Sequence, residues 1–242
     1  MVAREAAAAV RVIAAVSTVY NEADIIGDSV RHLLNEGVDH VWIAHGPSTD
    51  GTGDILAEFP EVTVVEDRDG FHYQPKWVNH LVGVAGAAGA EWIIPFDADE
   101  FWYPTEAATL AEALSGIPDT VEKLLVRQFM HRDWDHRYTD YHTLGKVCFR
   151  YRPWARVTNG NHDVSLSGGM AGVVDLRELQ FRSFDHMARK CHERVDRIDP
   201  SLPETDGAHQ RVLAVLSPDD LRAEWDRRQE YSVVYDPIPA RV

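Results

Sequence analysis

Apolar positions along the first hundred residues alternate between strand-like runs and helix-like spacing. Val12 to Val19 is a continuous apolar run rich in β-branched residues, the pattern of a strand buried on both faces. It ends at Tyr20-Asn21-Glu22, where Asn21 is a good helix N-cap and Glu22 and Asp24 put negative charge in a first turn. Ile26, Val30, Leu33 and Leu34 follow at helical spacing, and Gly37 supplies a stop. Val41 to Ala44 is a second strand, then Gly46 to Thr52 forms a loop dense in turn formers. A short helix to Phe59 leads to a strand over Val62 to Val65, and a helix over 75–88 delivers the chain to a fourth strand over 91–96. Connections this short demand right-handed crossovers. The fold class is therefore α/β, with a mostly parallel sheet flanked by helices.

Beyond this point the periodicity weakens. Ala107 to Leu114 reads as a helix and Val121 to Phe129 as a strand, after which residues 131–138 are aromatic and charged without a period. Strand-like pieces recur near Lys146 to Tyr151 and Gly169 to Val174, with a turn at Asn159-Gly160-Asn161 between them. Phe184 to Arg194 reads as a helix, and a Pro- and Asp-rich link over 199–206 leads to a last helix over 218–230, capped by Ser217. With no internal repeat, the expectation is one domain over 1–242, its second half a C-terminal elaboration of strands and helices closing over the first.

The fourth strand runs into Asp97-Ala98-Asp99-Glu100-Phe101. On an extended backbone Asp97 and Asp99 project to the same side. Two hard oxygen ligands there suit Mg²⁺ or Mn²⁺, which would bridge the phosphates of a nucleotide. An isolated Asp-x-Asp is common, but Phe101, Trp102 and Tyr103 follow at once, and a solvated loop has little use for three aromatics. In parallel sheets, ligands bind beyond the carboxyl ends of the strands. Tyr20-Asn21-Glu22, the Ser48 to Thr52 loop and Asp97-Ala98-Asp99 all fall at those ends.

Charge sharpens the picture. The formal net charge of -15 opposes nucleic acid or an anionic membrane as a partner, since both need a basic footprint. It also means that a phosphate-bearing ligand needs a metal or local basic groups. Two cysteines, Cys148 and Cys191, form no disulfide framework, so a reduced cytoplasmic protein is the default. The alanine-rich start from Ala6 to Val19 is faintly like a signal segment, but Glu5 and Arg11 interrupt it. No apolar run approaches the ~20 residues of a transmembrane span.

With these residues in hand, the chain resembles the family 2 glycosyltransferases of the GT-A fold over about residues 11–190. Val19-Tyr20-Asn21-Glu22 resembles the family's first-strand motif, with Thr18 where proline is often found. Ser48-Thr49-Asp50-Gly51-Thr52 resembles its second nucleotide-contacting loop. Asp97-Ala98-Asp99-Glu100-Phe101 is similar to the metal motif (DXD) of a soluble bacterial branch. The resemblance implies a nucleoside-diphosphate sugar donor bound in about residues 11–103, and a small-molecule or glycan acceptor met by about residues 121–242. Tyr20, Asn21, Glu22 and Asp50 would hold base and ribose, with Ala98 alongside. Asp97 and Asp99 would hold the metal. Lys76 is either a diphosphate or sugar contact or an exposed lysine at a helix start. His162 resembles the late histidine that can complete the metal shell. Lys146 to Arg150 and Phe181-Arg182-Ser183 resemble further segments of that branch, although Glu178-Leu179-Gln180 occupies the stretch where a histidine usually precedes the Arg-Ser pair. The chain lacks the Gln-x-x-Arg-Trp signature of the processive membrane synthases, so single addition is expected.

The family is usually inverting, and direct displacement needs one general base for the acceptor. Asp133 and Asp135, beside Trp134 in the aromatic loop after a sheet strand, are either that base or solvated loop charges. Two other readings stand beside this one. A sugar nucleotidyltransferase would carry a Gly-rich basic loop where Tyr20-Asn21-Glu22 stands, and a non-catalytic nucleotide- or sugar-binding module would show no metal-dependent gain in affinity. The sugar, the base, the acceptor and the oligomeric state stay open.

Overall fold

The computed structural model describes residues 12–67, 74–139, 142–158, 161–197 and 208–238. Strand β1 (Ile13–Val19) lies inside the sheet and is buried on both faces, as its apolar run predicts. Helix α1 (Ile26–Asn35), β2 (His40–His45), helix α2 (Thr52–Leu56), β3 (Val62–Glu66), helix α3 (Gln74–Ala87) and β4 (Trp92–Pro95) follow in the expected alternation. The chain continues through β5 (Glu100–Pro104), α4 (Leu110–Ser115), β6 (Lys123–Met130), β7 (His136–Tyr138) and β8 (His142–Arg150). Last come β9 (Val157–Thr158), β10 (Asp163–Val164), β11 (Gly169–Glu178), α5 (Phe184–Arg197), α6 (Ala208–Ala214), α7 (Pro218–Gln229) and β12 (Val233–Tyr235).

Eight strands form one mixed sheet in the order β3-β2-β1-β4-β8-β6-β11-β5. The first four are parallel to one another, β8 runs against β4 and β6, β11 is parallel to β6, and β5 closes the far edge antiparallel to β11. Alternation along β1 assigns its two faces. Ile13, Ala15 and Val19 pack with Val41, Ile43, Ile94 and helices α1 and α4, whereas Ala14 and Val16 pack with Ala44, Ile93 and helix α3. A third apolar cluster, including Met187, Cys191, Leu213 and Leu221, ties together α5, α6 and α7. Among the described residues no helix is long and apolar enough to cross a membrane.

Three expectations change. Asn21 does not cap α1, which begins at Ile26 with no side-chain cap. Instead Asn21 takes a left-handed φ of 51°, a conformation that Asn tolerates better than most residues, and spends its side chain on the neighbouring loop. Asp97 and Asp99 do not lie on an extended strand. β4 ends at Pro95, and a turn closed by Glu100 N–H donating to the Asp97 carbonyl (3.0 Å) takes the chain round. Phe101-Trp102-Tyr103 is strand β5, with Phe101 and Trp102 fully buried, which accounts for the aromatics as core. Ser217 does cap α7, accepting from Asp220 N–H. Asn159-Gly160, the residues before Val12 and the link over 199–206 lie outside the described residues.

Candidate functional site

A cavity of about 870 Å³ runs along the strand ends. That volume is in the range of ligand sites. Every strand of the sheet except β5 contributes, in sheet order. Asp67 follows β3, Gly46 follows β2, Tyr20 to Glu22 follow β1, and Asp97 to Asp99 follow β4; Lys146 comes from β8, Gln128 and Met130 from β6, and Glu178 from β11. Helix α5 supplies Lys190, Glu193 and Arg197 from above. Tyr138, Thr139, Arg228, Tyr231 and Ser232 close the β6–β11 end, where β12 pairs with β7.

The loops after β1 and β2 are laced to each other. Ser48 Oγ accepts from Asn21 N–H (2.9 Å), and Asn21 Oδ1 accepts from Thr49 N–H (2.8 Å). Thr52 Oγ1 accepts from Glu22 N–H (3.0 Å). Asp50 takes part in this lacing, accepting from Ala23 N–H and from the Thr52 backbone and hydroxyl, and it does not line the cavity. Tyr20 does line it, with the Arg197 guanidinium stacked 3.8 Å from its ring centroid.

The acidic turn is held by two lysines. Lys146 Nζ donates to Asp97 Oδ2 (2.8 Å) and lies 2.8 Å from Glu100 Oε1, while Gln74 and Asn161 amides donate to Asp97 Oδ1. Lys190 Nζ donates to Asp99 Oδ2 (2.6 Å) and lies 2.9 Å from Glu22 Oε1. Burial alone would depress both ammonium pKa values, but the facing carboxylates outweigh it and hold both raised. Burial pushes the Glu100 carboxyl up to about 7, the Lys146 charge offsetting part of the rise. Glu178 is raised well above the ordinary carboxylate range, first by burial and then by the charges of Asp99 and Glu100.

His162 lines the same cavity, and its Nδ1 lies 3.1 Å from the Gly145 carbonyl. A carbonyl only accepts, so Nδ1 carries a proton, and in the neutral ring Nε2 is the nitrogen that could ligate a metal. The described lining carries six Asp and Glu side chains against four Lys and Arg side chains, an acidic balance that suits a cation. Asp97, Asp99 and His162 do not draw their ligand atoms together as closely as Glu22, Asp24 and His186 do. Those three are the one such cluster within 4.8 Å among the described residues, and there Arg182 already serves as the cation. An open site with one or two carboxylates, completed by substrate phosphates, is the usual Mg²⁺ arrangement, so the residues at the turn fit the ion.

The remaining expected residues lie elsewhere. Lys76 is exposed beside the Trp77 ring and does not line the cavity. Asp133 and Asp135 are also outside the lining. Asp133 Oδ1 accepts from the backbone of Asp135 and His136 and lies 2.8 Å from His136 Nδ1, so its carboxylate builds the turn into β7. Asp135 is exposed, and its carbonyl accepts from Asp236 N–H. Trp134 packs on Phe101, ring centroids 5.4 Å apart, and is core rather than cleft.

Gln128, Glu178, Lys190 and Tyr231 also line the cavity and belong to none of the motifs singled out in the sequence. A signal for two of them was present. Leu124, Val126 and Gln128 alternate inward on β6, as do Val174, Leu176 and Glu178 on β11, so each strand ends its apolar face on a polar side chain. Lys190 and Tyr231 carried no such signal, because the sequence does not say where α5 and the C-terminal segment fold back.

The sequence profile of glycosyl transferase family 2 matches residues 15–171. No curated protein matches the chain. Among solved structures it is similar to TarS 1–349 of S. aureus, with 14% identity over 90% of this chain and 71% of that chain and a TM-score of 0.49. It covers 43% of a longer TarS chain. It is also similar to mannosyl-3-phosphoglycerate synthase from Rubrobacter xylanophilus (12% identity, 81% of this chain, 80% of that chain, TM-score 0.40). A third is glucosyl-3-phosphoglycerate synthase from Mycobacterium tuberculosis in complex with Mn²⁺, UDP and glucosyl-3-phosphoglycerate (16% identity, 50% of this chain, 45% of that chain, TM-score 0.36).

Proposed function

The chain belongs to glycosyl transferase family 2, and from that premise we propose that it moves one sugar from a nucleoside-diphosphate sugar to a hydroxyl acceptor by direct, inverting displacement with Mn²⁺ or Mg²⁺. One observation carries the reading: a single cavity joins the β1 loop, the acidic turn and His162. Tyr20, Asn21 and Glu22 sit at the β3–β1 end of this cavity, where base and ribose would lie. Asp50 acts behind them by holding the two loops together. Neither Asp50 nor Lys76 needs to touch the donor in this arrangement.

Asp97 and Asp99, with His162, are the residues that would hold the ion. Bound there, it would neutralise charge on the departing diphosphate. Lys190 and Lys146 fix the two carboxylates and bring positive charge to the same place, which answers the problem set by the acidic chain. The acceptor then occupies the other end, among Gln128, Met130, Tyr138 and Tyr231. Two tyrosines and an amide suit a hydroxylated acceptor, through stacking and hydrogen bonds.

A thermal-shift series with nucleoside diphosphates, with and without Mn²⁺, tests the donor half. A ligand that binds only the native state adds about 2.7 kcal/mol at a hundredfold excess over Kd. The expected result is a rise for one nucleotide base that requires Mn²⁺ and is lost in Asp99→Ala. A rise that is equal without metal would exclude the metal role, and no rise with any nucleotide would exclude the donor site.

A further inference from the structure

The base expected at Asp133 or Asp135 has no place in the cavity, yet displacement of a diphosphate by a hydroxyl needs a group to take the proton. We propose that Glu178, at the end of β11, is the general base of the transfer and marks the acceptor end of the cavity. This rests on the glycosyl-transfer reading above.

Ion pairing separates Glu178 from every other carboxylate in the described lining. Glu22 is paired with Arg182 and Lys190, Asp97 with Lys146, Asp99 with Lys190, and Glu193 with Arg189. Asp67 lies 3.9 Å from the Arg197 guanidinium. Glu178 has no ion-pair partner among the described residues; its one side-chain bond comes from the Gln128 amide, which donates to Oε2. A carboxylate held by a cation is a poor proton acceptor, because the pairing stabilises the ionised form. A carboxylate positioned by a neutral amide keeps its basicity and one oxygen for the substrate.

Position agrees with the role. Glu178 and Gln128 end adjacent parallel strands, in register as Met130 opposite Glu178 and Gln128 opposite Leu176. Leu179 N–H donates to the Asp99 carbonyl (3.0 Å), which holds the end of β11 against the acidic turn. The carboxylate therefore belongs to a strand end held against the turn, where the diphosphate would leave, and it lines the same cavity as Tyr138 and Tyr231. In the step, the acceptor oxygen bonds to the anomeric carbon as the bond from that carbon to the diphosphate oxygen breaks. The diphosphate departs with that electron pair, and the acceptor proton passes to the Glu178 carboxylate.

The test uses the full chain with Mn²⁺ and a panel of UDP-glucose, UDP-galactose, UDP-N-acetylglucosamine and GDP-mannose. Release of nucleoside diphosphate is followed with water and with added monosaccharides as acceptors, and UDP and GDP affinity is measured by calorimetry. Glu178→Gln should lower turnover about 100-fold or more, in the range of general-base losses, while nucleotide affinity stays within about twofold. Asp133→Asn and Asp135→Asn should keep turnover within about threefold of wild type. Undiminished turnover in Glu178→Gln, or a loss of nucleotide affinity as large as the loss of turnover, overturns the assignment. If Glu178→Gln does not fold, Glu178→Asp serves: its carboxylate is drawn back by one methylene, and turnover down about tenfold at unchanged affinity supports the role, whereas unchanged turnover refutes it. A wild-type protein that binds neither nucleotide and turns over none of the donors removes the donor site, and the base with it. Intact binding with an unaffected Glu178→Gln removes the base alone.

Discussion

Lys146 shows how much of this site is decided by single side chains. It is 2% exposed, and its ammonium stands between Asp97 and Glu100. Lys146→Met would leave the fully buried Glu100 carboxyl without its cation and beside the half-buried Asp97 carboxylate. Breaking a buried pair this way costs about 3–5 kcal/mol, and urea unfolding should show a loss of that size together with weakened Mn²⁺-dependent nucleotide binding. Two buried histidines make a separate prediction about pH. His32, whose Nε2 lies 2.7 Å from the Trp102 carbonyl, and His131 are both pushed down to about 4 by burial, from the ordinary imidazole value of about 6.5. The folded state thus binds fewer protons than the unfolded chain between those values. Their contribution is full above about pH 6.5 and is lost as pH falls toward 4, by about 1.4 kcal/mol per pH unit per group. Unfolding of wild type and His32→Asn at pH 7 and pH 5 isolates it from the raised carboxyls Glu100 and Glu178, which act in the opposite sense: the change from pH 7 to pH 5 should be less favourable to the fold in wild type than in the variant.

At the scale of elements, the β8–β6 pairing carries Lys146 to the cavity, and Gly145 lets the strands meet. A Cβ at Gly145 would lie 2.5 Å from the Val126 carbonyl oxygen, which is backbone and cannot swing aside. Gly145→Ala should therefore move β8 off β6, lower the melting temperature by several degrees, and reduce nucleotide binding by displacing Lys146. Calorimetry in the presence of Mn²⁺ reads both effects. Elements also separate what was legible from what was not. Helices α1 and α3 and strands β1 to β4 follow from apolar spacing, since each buries its stripe against its sequence neighbours. Strand β5 is not legible, because Phe101-Trp102-Tyr103 is too short to show a period and its partner β11 lies some seventy residues on. The turn at Asp97 is hidden for a related reason. The strand ends at Pro95, and only the packing of β5 makes the chain reverse.

For the whole molecule, the cavity is completed by residues distant in sequence. Tyr138 and Tyr231, ring centroids 5.9 Å apart, meet because β12 pairs with β7 and places the C-terminal segment over the β6–β11 end. Tyr231→Ala should raise the acceptor KM severalfold with the nucleotide Kd unchanged. Steady-state kinetics at saturating donor would show it, and a shifted nucleotide Kd would place Tyr231 on the donor side instead.

By itself the sequence determined the α/β class, the order of the first four strands and helices, and the three polar clusters at the strand ends. These depend on local period and on chain direction, and both are written in consecutive residues. Tertiary structure alone decided which carboxylates are paired and which is left with a neutral partner. Asp133 and Glu178 look equally plausible along the chain. Their difference is the distance to a cation or to the cavity, and that is set by strand pairing between β6 and β11 and by the docking of α5, contacts that no local pattern encodes.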